Sequence, residues 1–449
     1  MQEPLIAVGI LSGKEIEFSF PERFLSSDGT ESSGTQKVVY RNGKIYWQGK
    51  EYDTLSFTSH PNTNTYFELQ GVTIGINFHW ERKEIQRFKG ELKIIVEEEQ
   101  LTAINVISIE EYLTSVISSE MSAAASLELL KAHAVISRSW LLNKLRVENK
   151  TSKVIVQTDS AVNSQRSIPN SEFIKWYDHE AHRNFDVCAD DHCQRYQGIT
   201  RASTPQAIEA ITATRGEVLM YTGIICDARF SKCCGGVLEE FQNCWENVNH
   251  PYLIGQRDCK AENQLPDLTI ETEADKWIRT LPVAFCNTQD KKILNQVLNN
   301  YDQETVDFYR WKVSYSQQEL STLIYQRSGI DFGQILDLIP IERGTSGRLV
   351  RLKIVGTLRT LIIGKELEIR RTLSASHLYS SAFVIDKEYE EKKHKEDKIP
   401  SRFILTGAGW GHGVGLCQIG AAVMGQQGYK YEEILSHYYP GSTLEKQYQ

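Results

Sequence analysis

Glu120 is a carboxylic acid at a position where the surrounding pattern predicts a buried helix face. Ser108, with Glu111 three residues later, is typical of the first turn of a helix. The apolar residues that follow recur at helical spacing and predict one face: Ile109, Tyr112, Leu113, Val116 and Ile117. Glu120 projects from this face, because it lies three and four residues after Ile117 and Val116.

Partial burial raises the pKa of a carboxyl group, and a carboxyl that stays protonated near neutral pH can act as a general acid. Glu120 is therefore a candidate catalytic acid. The alternative is a structural salt bridge between Glu120 and a basic residue, and the helical pattern alone favours neither interpretation. Glu110 and Glu111 differ from Glu120, since they lie in the first turn, where the helix dipole favours a carboxylate.

A second group of residues, between positions 179 and 193, has the chemistry of a metal site. His182, Cys188 and Cys193 are separated by short intervals, and His179 and His192 are further candidates. Thiolates and imidazoles at such spacing can surround a tetrahedral Zn²⁺ ion, although the spacing is not that of a standard zinc finger. The alternative is a small disulfide loop between Cys188 and Cys193, which would suit an exported protein.

The third segment is a glycine-rich run at residues 407–418, Gly-Ala-Gly-Trp-Gly-His-Gly-Val-Gly-Leu-Cys-Gln. Alternating glycines weaken a strand, so such a run is expected where the backbone approaches something closely or needs positive φ angles. His412 has neighbours without side chains, and its ring can therefore face a cavity. Trp410 offers a flat apolar surface in the same run. The alternative is a glycine-rich turn with a packed Trp410 and a solvated His412.

These segments together resemble the stage II sporulation protein D / amidase-enhancer (SpoIID/LytB) family. The C-terminal motif of that family, Gly-Trp-Gly-His-Gly-Val-Gly-x-x-Gln with a following Gly-Ala and Tyr-x-x-Ile-Leu-x-x-Tyr-Tyr-x-Gly, matches residues 409–441. Its Glu-Glu-Tyr-Leu-x-x-Val-(x)3-Glu-Met motif matches residues 110–121. A Leu-Lys-Ala-Gln-Ala-Val-x-x-Arg helix matches residues 130–138, with His133 in place of the Gln. Further matches extend the resemblance over nearly the whole chain: residues 214–219, 230–236, 244–245 and 251–253.

The resemblance implies a lytic transglycosylase that cleaves the bond between N-acetylmuramic acid and N-acetylglucosamine in peptidoglycan. The Glu of the Glu-Met motif is the acid/base of the family, and its match here is Glu120. One carboxyl first protonates the glycosidic oxygen and then, as a carboxylate, accepts the proton of the muramoyl C6 hydroxyl. This step closes a 1,6-anhydro ring without water, so a second carboxylate at a fixed separation is not required.

The same resemblance implies which residues contact the substrate. Lys131 and Arg138 match family positions and project from one helix face, about 10 Å apart along the axis. Two cations there suit the lactyl carboxylate of muramic acid, or they hold neighbouring acids in place. Trp410, His412 and Gln418 of the glycine-rich motif are expected to wall the same cleft as Glu120.

For the cysteine–histidine group, the resemblance favours zinc. Some family members bind zinc through a His and two Cys in an Asp-Val-Cys-…-Cys-Gln-x-Tyr segment, and the matching residues here are His182, Cys188 and Cys193. Three protein ligands leave one position open, as in hydrolytic zinc sites, but two thiolates make the ion a weaker Lewis acid. We therefore expect a structural zinc ion close to the cleft.

The family prefers glycan strands without stem peptides, which makes a cell-wall amidase an expected partner. A non-catalytic wall-binding protein that activates an N-acetylmuramoyl-L-alanine amidase is one alternative function. A zinc amidase is another, and thiolate-rich ligation disfavours it. Covalent catalysis is not expected at Ser231, Cys233 or Cys234, because no His/Asp pattern around them supports a triad.

The elements that must position these residues predict an α+β fold, a mixed β-rich core with a central helical pair bearing Glu120 and a long substrate cleft. The pair Asn42-Gly43 between two alternating runs predicts a β-hairpin. Helical patterns also lie at 272–281, 317–328 and 373–380, and 386–398 is a mixed-charge run expected to be a solvated loop. We expect four regions, namely an N-terminal β-rich region (1–107), a catalytic core (108–260), a helical insertion (261–340), and C-terminal strands with the glycine-rich loop (341–449).

Composition excludes several kinds of protein. A net charge of −8 and a pI near 5.9 give no basic face for nucleic acid, and the absence of a 20-residue apolar run predicts no transmembrane helix. Residues 1–6 lack the pattern of a signal peptide. Because the family acts on the cell wall, we nevertheless expect an extracytoplasmic location in the cell envelope. Clustered cysteines favour disulfides in an oxidising compartment: Cys226, Cys233, Cys234, Cys244, Cys259 and Cys286.

Overall fold

The computed structural model shows a mixed α+β protein, as the sequence predicts. It describes residues 2–60, 63, 65–75, 81–122, 124–151, 172–176, 182–190, 192–200, 203–260, 265–297, 307–390 and 399–449, with only the backbone for 147–151. Its helices are α1 (Ile109–Glu120), α2 (Leu127–Thr151), α3 (Pro205–Ala213), α4 (Glu271–Arg279), α5 (Lys291–Val297), α6 (Gln317–Ser328), α7 (Glu366–Thr372), α8 (Gln418–Gln426) and α9 (Tyr431–Tyr438).

The strands are β1 (Leu5–Gly13), β2 (Glu15–Ser26), β3 (Glu31–Arg41), β4 (Lys44–Trp47), β5 (Lys50–Tyr52), β6 (Thr54–Ser59), β7 (Phe67–Ile74), β8 (Arg82–Phe88), β9 (Glu91–Glu97), β10 (Gln100–Ser108), β11 (Glu172–Ile174), β12 (Val187–Cys188), β13 (Glu217–Tyr221), β14 (Ile224–Ile225), β15 (Phe230–Ser231), β16 (Arg310–Ser316), β17 (Ile335–Arg343), β18 (Leu349–Gly356), β19 (Thr360–Gly364), β20 (Phe383–Glu388), β21 (Arg402–Ala408), β22 (Leu416–Cys417) and β23 (Thr443–Lys446).

The N-terminal strands form one large, mostly antiparallel sheet in the order β12-β1-β10-β9-β6-β2-β3-β4-β5, with β7 and β8 attached to β2. Asn42 and Gly43 have φ angles of 46° and 81° and join β3 to β4, so the predicted hairpin is confirmed. Buried phenylalanine rings of these strands pack together. The ring centroid of Phe18 lies 5.2 Å from those of Phe20 and Phe57. The β-rich character of this region is therefore confirmed.

The helical pair follows directly from the sheet, because α1 begins where β10 ends. The Ser108 side chain accepts a hydrogen bond from the Glu111 backbone N–H at 3.5 Å, which confirms the predicted helix start. All five apolar side chains of the predicted face are buried: Ile109, Tyr112, Leu113, Val116 and Ile117. They pack in the main hydrophobic core with apolar residues of α2, so the position of α1 is fixed by burial.

An ion pair between α1 and α2 lies inside this core. The Arg138 guanidinium donates to both carboxylate oxygens of Glu110, at 3.0 and 2.7 Å, and Arg138 is fully buried. Glu110 also accepts hydrogen bonds from the Tyr448 hydroxyl at 2.6 Å and the Gly216 backbone N–H at 3.1 Å. Arg138 donates in addition to the Glu217 carbonyl at 3.0 Å. One charge pair thus joins two helices to β13 and to the C-terminal segment.

A second hydrophobic core lies further along the chain, between the sheets β11-β19-β18-β17 and β16-β21-β20 and helices α6 and α7. The predicted helix 317–328 is confirmed as α6, and 272–281 corresponds to α4. The predicted domain boundary at residue 340 falls inside β17. Of the mixed-charge run, residues 391–398 lie outside the described part of the chain.

The predicted helix at 373–380 is wrong. The helix α7 ends at Thr372, and the following segment is irregular, with the Leu378 backbone N–H bonded to the Arg370 carbonyl at 3.1 Å. The Arg370 side chain donates in turn to the Leu378 carbonyl at 2.7 Å. Leu373 and Leu378 are both buried, so their apolar spacing reflects burial of a non-helical segment.

The C-terminal residues return to the centre of the molecule. The strand β22 pairs with β15, and β23 pairs with β13. All nine cysteines lie in the described part of the chain and carry free thiols, so the expected disulfides are not observed there. Among the described residues, no helix has the length and apolarity needed to cross a membrane.

Substitution of Arg138 by Met should lower the free energy of unfolding by about 3–5 kcal/mol, because it leaves the buried Glu110 carboxylate without its partner. Urea denaturation measures this loss. The matched control is Arg23→Met, which breaks an exposed pair with Glu31 and should cost less than about 1 kcal/mol.

The double variant Glu110→Leu/Arg138→Met should be more stable than Arg138→Met, since it removes the unpaired charge. A loss for Arg138→Met no larger than that of the Arg23 control would contradict the structural role of the pair.

Candidate functional site

A pocket of about 430 Å³ lies where the end of α1, the segment 192–195, β15 and the glycine-rich loop meet. It brings together residues that are far apart in the sequence. Of the predicted site residues, its walls contain Glu120, Cys193, Trp410, His412 and Gln418. The helix and the glycine-rich loop therefore face one cavity.

Glu120 is the last residue of α1 and is half-buried in the pocket wall. The chain turns to an extended conformation at Met121, whose buried side chain anchors the helix end. One carboxylate oxygen, Glu120 Oε1, accepts a hydrogen bond from the Arg195 backbone N–H at 3.4 Å. Among the described residues that line the pocket, Glu120 is the one that carries a carboxyl group.

The segment that carries the Arg195 N–H is held by hydrogen bonds to the helical pair. Gln194 accepts from the buried Tyr112 hydroxyl at 3.3 Å and donates to the Ser137 carbonyl at 3.3 Å. The Gln197 backbone N–H donates to the Ser115 hydroxyl at 3.2 Å. The position of this donor relative to Glu120 is thus set by contacts on both sides of it.

Two residues before Arg195 is Cys193, part of a group of four ligand atoms that all lie within 4.8 Å of one another: His182, Cys188, His192 and Cys193. Cys193 Sγ is 3.4 Å from His182 Nε2 and 3.5 Å from His192 Nδ1. Cys188 Sγ is 3.8 Å from His192 Nδ1. Bond lengths of about 2.0 and 2.3 Å give edges of about 3.5 Å in a tetrahedral zinc site, so these side chains fit the ion.

Hydrogen bonding from Cys193, and then from His182 and His192, lowers the pKa of the Cys188 thiol to about 2. This favours the thiolate, which is the form that binds a metal ion. Of the two further candidates that sequence analysis named, His192 lies within this group. His179 lies outside the described residues.

Trp410 both packs and lines the pocket. Its ring lies 4.8 Å from Phe308 and 4.5 Å from Tyr379, and its backbone forms two hydrogen bonds with Cys233, of 2.7 and 3.0 Å. The ring is half-buried, with part of its surface in the pocket wall.

His412 likewise both packs within the loop and lines the pocket. Its Nδ1 accepts a hydrogen bond from the Val414 backbone N–H at 3.0 Å, and its ring lies 4.7 Å from Trp245. Burial lowers the pKa of His412 well below its ordinary value, so the ring is neutral and carries its proton on Nε2. The His412 ring lines the pocket wall and also forms a hydrogen bond with the Phe230 backbone, which holds the ring in place.

Gly413 of the loop lies where Arg348 passes close to the backbone. A Cβ atom at Gly413, where φ is 79°, would lie 2.5 Å from the Arg348 guanidinium. This fully buried guanidinium donates to the Gly411 carbonyl at 3.0 Å and to the Cys234 carbonyl at 3.1 Å. The glycine at position 413 thus leaves room for a buried arginine that fixes the loop.

Gln418 connects the glycine-rich segment to α2. Its amide Nε2 is 3.2 Å from His133 Nε2, and His133 Nδ1 is 3.2 Å from the Ser137 hydroxyl. Burial lowers the pKa of His133 to about 3, so the ring is neutral, accepts from Gln418 and donates to Ser137. The histidine that stands in place of the family Gln therefore forms a hydrogen bond of its own.

The structure does not bring Lys131 or Arg138 to the pocket. The buried Arg138 guanidinium is occupied by Glu110 and the Glu217 carbonyl. Lys131 pairs with Glu128 at 3.1 Å near the start of α2. Of the two roles that sequence analysis left open for them, the geometry therefore corresponds to holding neighbouring acids and not to contact with a substrate.

Sequence analysis missed the basic residues of the pocket, which are Arg195, Arg229, Lys232 and Arg370. Arg229 and Lys232 flank the Phe230-Ser231 strand, a signal that was present in the family match at 230–236. Arg370 lies in α7 and gave no local signal. Trp140 and Trp245 are further aromatic residues of the wall. Ser231 also lines the pocket, but its hydroxyl has no hydrogen-bond partner among the described residues, so no base activates it.

Comparison with known proteins gives two matching family models. The model described as stage II sporulation protein matches residues 97–221, and one described as a domain of unknown function matches residues 239–415. The first match contains the helical pair and the cysteine–histidine group.

Similar proteins include stage II sporulation protein D of Bacillus amyloliquefaciens, 23% identical over 76% of this chain and 75% of that protein. The amidase enhancer of Bacillus subtilis is 25% identical over 74% of this chain but only 40% of its own length. An uncharacterized protein of Brachyspira hyodysenteriae is 25% identical over 80% of this chain and 72% of that protein. These matches confirm the resemblance of its motifs to the stage II sporulation protein D family.

The buried neutral His133 predicts a pH-dependent stability. Its pKa is about 3 in the folded chain and about 6.5 when exposed, so between these values only the unfolded chain binds the proton. Stability should therefore fall as the pH drops below about 6.5, by up to about 1.4 kcal/mol per pH unit from this group.

The variant His133→Gln restores the typical family residue. It should reduce the pH dependence of the free energy of unfolding by the equivalent of up to one bound proton, measured by urea unfolding between pH 5 and 7. Substitution of the exposed His60 by Gln is the control. An unchanged slope in His133→Gln would show that His133 does not remain neutral.

Proposed function

We propose that this protein is a peptidoglycan lytic transglycosylase of the cell envelope, with Glu120 as its general acid/base. The observation that carries the proposal is that Glu120 supplies the one carboxyl group among the described residues lining the pocket, whose other charged residues are basic. A lytic transglycosylase needs one carboxyl for both proton transfers, whereas a hydrolytic glycosidase uses two. One acid in a cationic pocket therefore suits a reaction that closes the 1,6-anhydro ring.

The pocket chemistry supports a glycan substrate. Its rings, Trp410 and Trp245, provide apolar surfaces against which a pyranose can pack. Its cations are Arg229, Lys232 and Arg370, which also contact Asp227, the Val297 carbonyl and Glu366. Their positive charge suits the lactyl carboxylate of muramic acid, one of the two roles that sequence analysis considered for Lys131 and Arg138. The Arg195 backbone N–H holds the Glu120 carboxylate in place for the second proton transfer.

We further propose that His182, Cys188 and Cys193 hold one zinc ion, with His192 as the fourth ligand. Four protein ligands make a closed, structural site. The zinc ion would cross-link the loop that ends at the Arg195 N–H. A zinc amidase is disfavoured, since hydrolysis requires an open coordination position.

The family relationship supports a role in the cell envelope and a functional link with a cell-wall amidase, one of the relatives being an amidase enhancer. The amidase would remove stem peptides, and this protein would then cut the bare glycan strand. The second candidate function, favoured by that relative's name, is a non-catalytic protein that binds the wall and activates the amidase.

The variant Glu120→Gln keeps the shape of the side chain but removes its titrating proton, so turnover should fall by about 10²-fold or more. Mass spectrometry of products from denuded glycan strands measures the 1,6-anhydromuramoyl ends. Sedimentation with insoluble peptidoglycan should show unchanged binding.

The matched control is Glu111→Gln, which changes an exposed carboxyl on the same helix and should keep wild-type activity. Anhydromuramoyl product from Glu120→Gln at the wild-type rate would overturn the assignment. Stimulation of an amidase by a wild-type protein that forms no anhydro product would support the second candidate function.

The variant Cys188→Ser/Cys193→Ser should contain about one equivalent of zinc less than the wild-type protein, as measured by elemental analysis. The control Cys226→Ser changes a buried cysteine outside the group and should keep the wild-type metal content. A Cys188–Cys193 disulfide in active, metal-free protein, detected by mass spectrometry, would overturn the zinc proposal.

A further inference from the structure

A second group of potential metal ligands lies in the interior, outside the pocket and apart from the His182 group. The three thiols of Cys234, Cys286 and Cys417 converge with the Asp258 carboxylate, and the four ligand atoms lie within 4.8 Å of one another. All four residues are buried. Buried charges and thiols of this density require partners, and a metal ion is one that satisfies all four together.

The distances between these ligand atoms fit a tetrahedrally coordinated metal ion. Cys234 Sγ is 3.5 Å from Cys286 Sγ and 3.4 Å from Asp258 Oδ2. A zinc ion with bonds of about 2.3 Å to sulfur and about 2.0 Å to oxygen gives edges of about 3.8 and 3.5 Å. A disulfide would instead require sulfur atoms about 2.05 Å apart and would join only two of the three thiols.

The neighbouring groups already orient Asp258 toward the thiols. Its Oδ1 accepts from the buried Tyr438 hydroxyl at 2.8 Å and lies 3.5 Å from His437 Nε2. Its Oδ2, on the side of the cysteines, accepts from the Cys286 backbone N–H at 3.1 Å. Outer hydrogen bonds of this kind fix a ligand before the ion binds, as in known metal sites.

The backbone is also shaped around the group. The Cys234 backbone N–H donates to Cys417 Sγ at 3.3 Å, which suits a thiolate better than a thiol. A Cβ atom at Gly420 would lie 2.7 Å from Asp258 Oδ2 and 2.3 Å from the Tyr438 hydroxyl. Glycine at that position in α8 leaves the space that the carboxylate occupies.

We propose that Cys234, Cys286, Cys417 and Asp258 bind one structural zinc ion. Soft thiolates with one carboxylate form a closed tetrahedral set that prefers Zn²⁺ to hard cations such as Mg²⁺ or Ca²⁺. The ion joins three separate stretches of chain to the start of α8. Two of its ligands are next in sequence to residues at the pocket. Cys417 directly precedes Gln418 of the pocket wall. Cys234 directly follows Cys233, whose backbone is hydrogen-bonded to that of Trp410.

The experiment compares the zinc content of four purified proteins by elemental analysis: the wild type, Cys188→Ser/Cys193→Ser, Cys234→Ser/Cys286→Ser and the control Cys226→Ser. The Cys234→Ser/Cys286→Ser protein should contain about one equivalent less than the wild type, and Cys226→Ser should match the wild type. This difference does not depend on the His182 group or on any catalytic activity. A Cys234→Ser/Cys286→Ser protein with wild-type zinc content would overturn the proposal.

A second measurement leaves the proposed ligands intact, in case their substitution prevents folding. Cys188→Ser/Cys193→Ser should retain about one equivalent of zinc, and Co²⁺ in its place should give sulfur-to-cobalt charge-transfer absorption. Alkylation of the denatured, unreduced wild type followed by mass spectrometry should find Cys234, Cys286 and Cys417 as free thiols. A disulfide among them, or Cys188→Ser/Cys193→Ser protein without bound metal, would overturn the proposal.

The ligand set is tested by one further pair of variants. The Cys233 thiol also contacts Cys286 and Cys417, but the group within mutual reach contains Cys234 and Asp258. Cys233→Ser should therefore keep the wild-type zinc content, whereas Asp258→Asn should bind zinc at least about tenfold more weakly in competition with a chelator. The opposite result would assign Cys233 as the fourth ligand and overturn the role of Asp258.

Discussion

The buried pair of Glu110 and Arg138 is the constraint on which the arrangement of the pocket depends. It is fully desolvated, and the cost of burying both charges is met by hydrogen bonds from the Tyr448 hydroxyl and the Gly216 backbone N–H and to the Glu217 carbonyl. These contacts give α1 one position against α2 and β13. Because α1 is a single helix that ends at Glu120, fixing its first turn also constrains where the candidate acid enters the pocket.

The walls around Glu120 are loops, and each is held by a group that reaches it from a distant part of the chain. The segment 192–197 is held through Gln194 and through the cysteine–histidine group. The glycine-rich loop is held by the Arg348 guanidinium, which donates to two of the carbonyls that surround it. Rigid loops on a packed scaffold keep side chains at fixed separations, which is what proton transfer and sugar binding require.

Features set by local sequence were predictable. The helix start at Ser108, the turn at Asn42-Gly43 and helix α6 all depend on neighbours within a few residues. Glu120 and the glycine-rich loop were identified because their motifs are contiguous. The basic residues of the pocket were not, since Arg229 and Arg370 come together only through folding. The role of Arg138 was left open for a related reason, because a cation on a helix face looks the same whether its partner is a substrate or a buried carboxylate.

The contact between Tyr448 and Glu110 joins residues 338 positions apart. During synthesis, the helix that carries Glu120 is made long before the strand pair β13–β23 and the Tyr448 hydroxyl can complete its surroundings. Contacts of such long range form late and slowly. A nascent chain therefore holds an unfinished pocket for most of its synthesis, and the surroundings of the helix would be complete only once residues 443–448 have been made and docked.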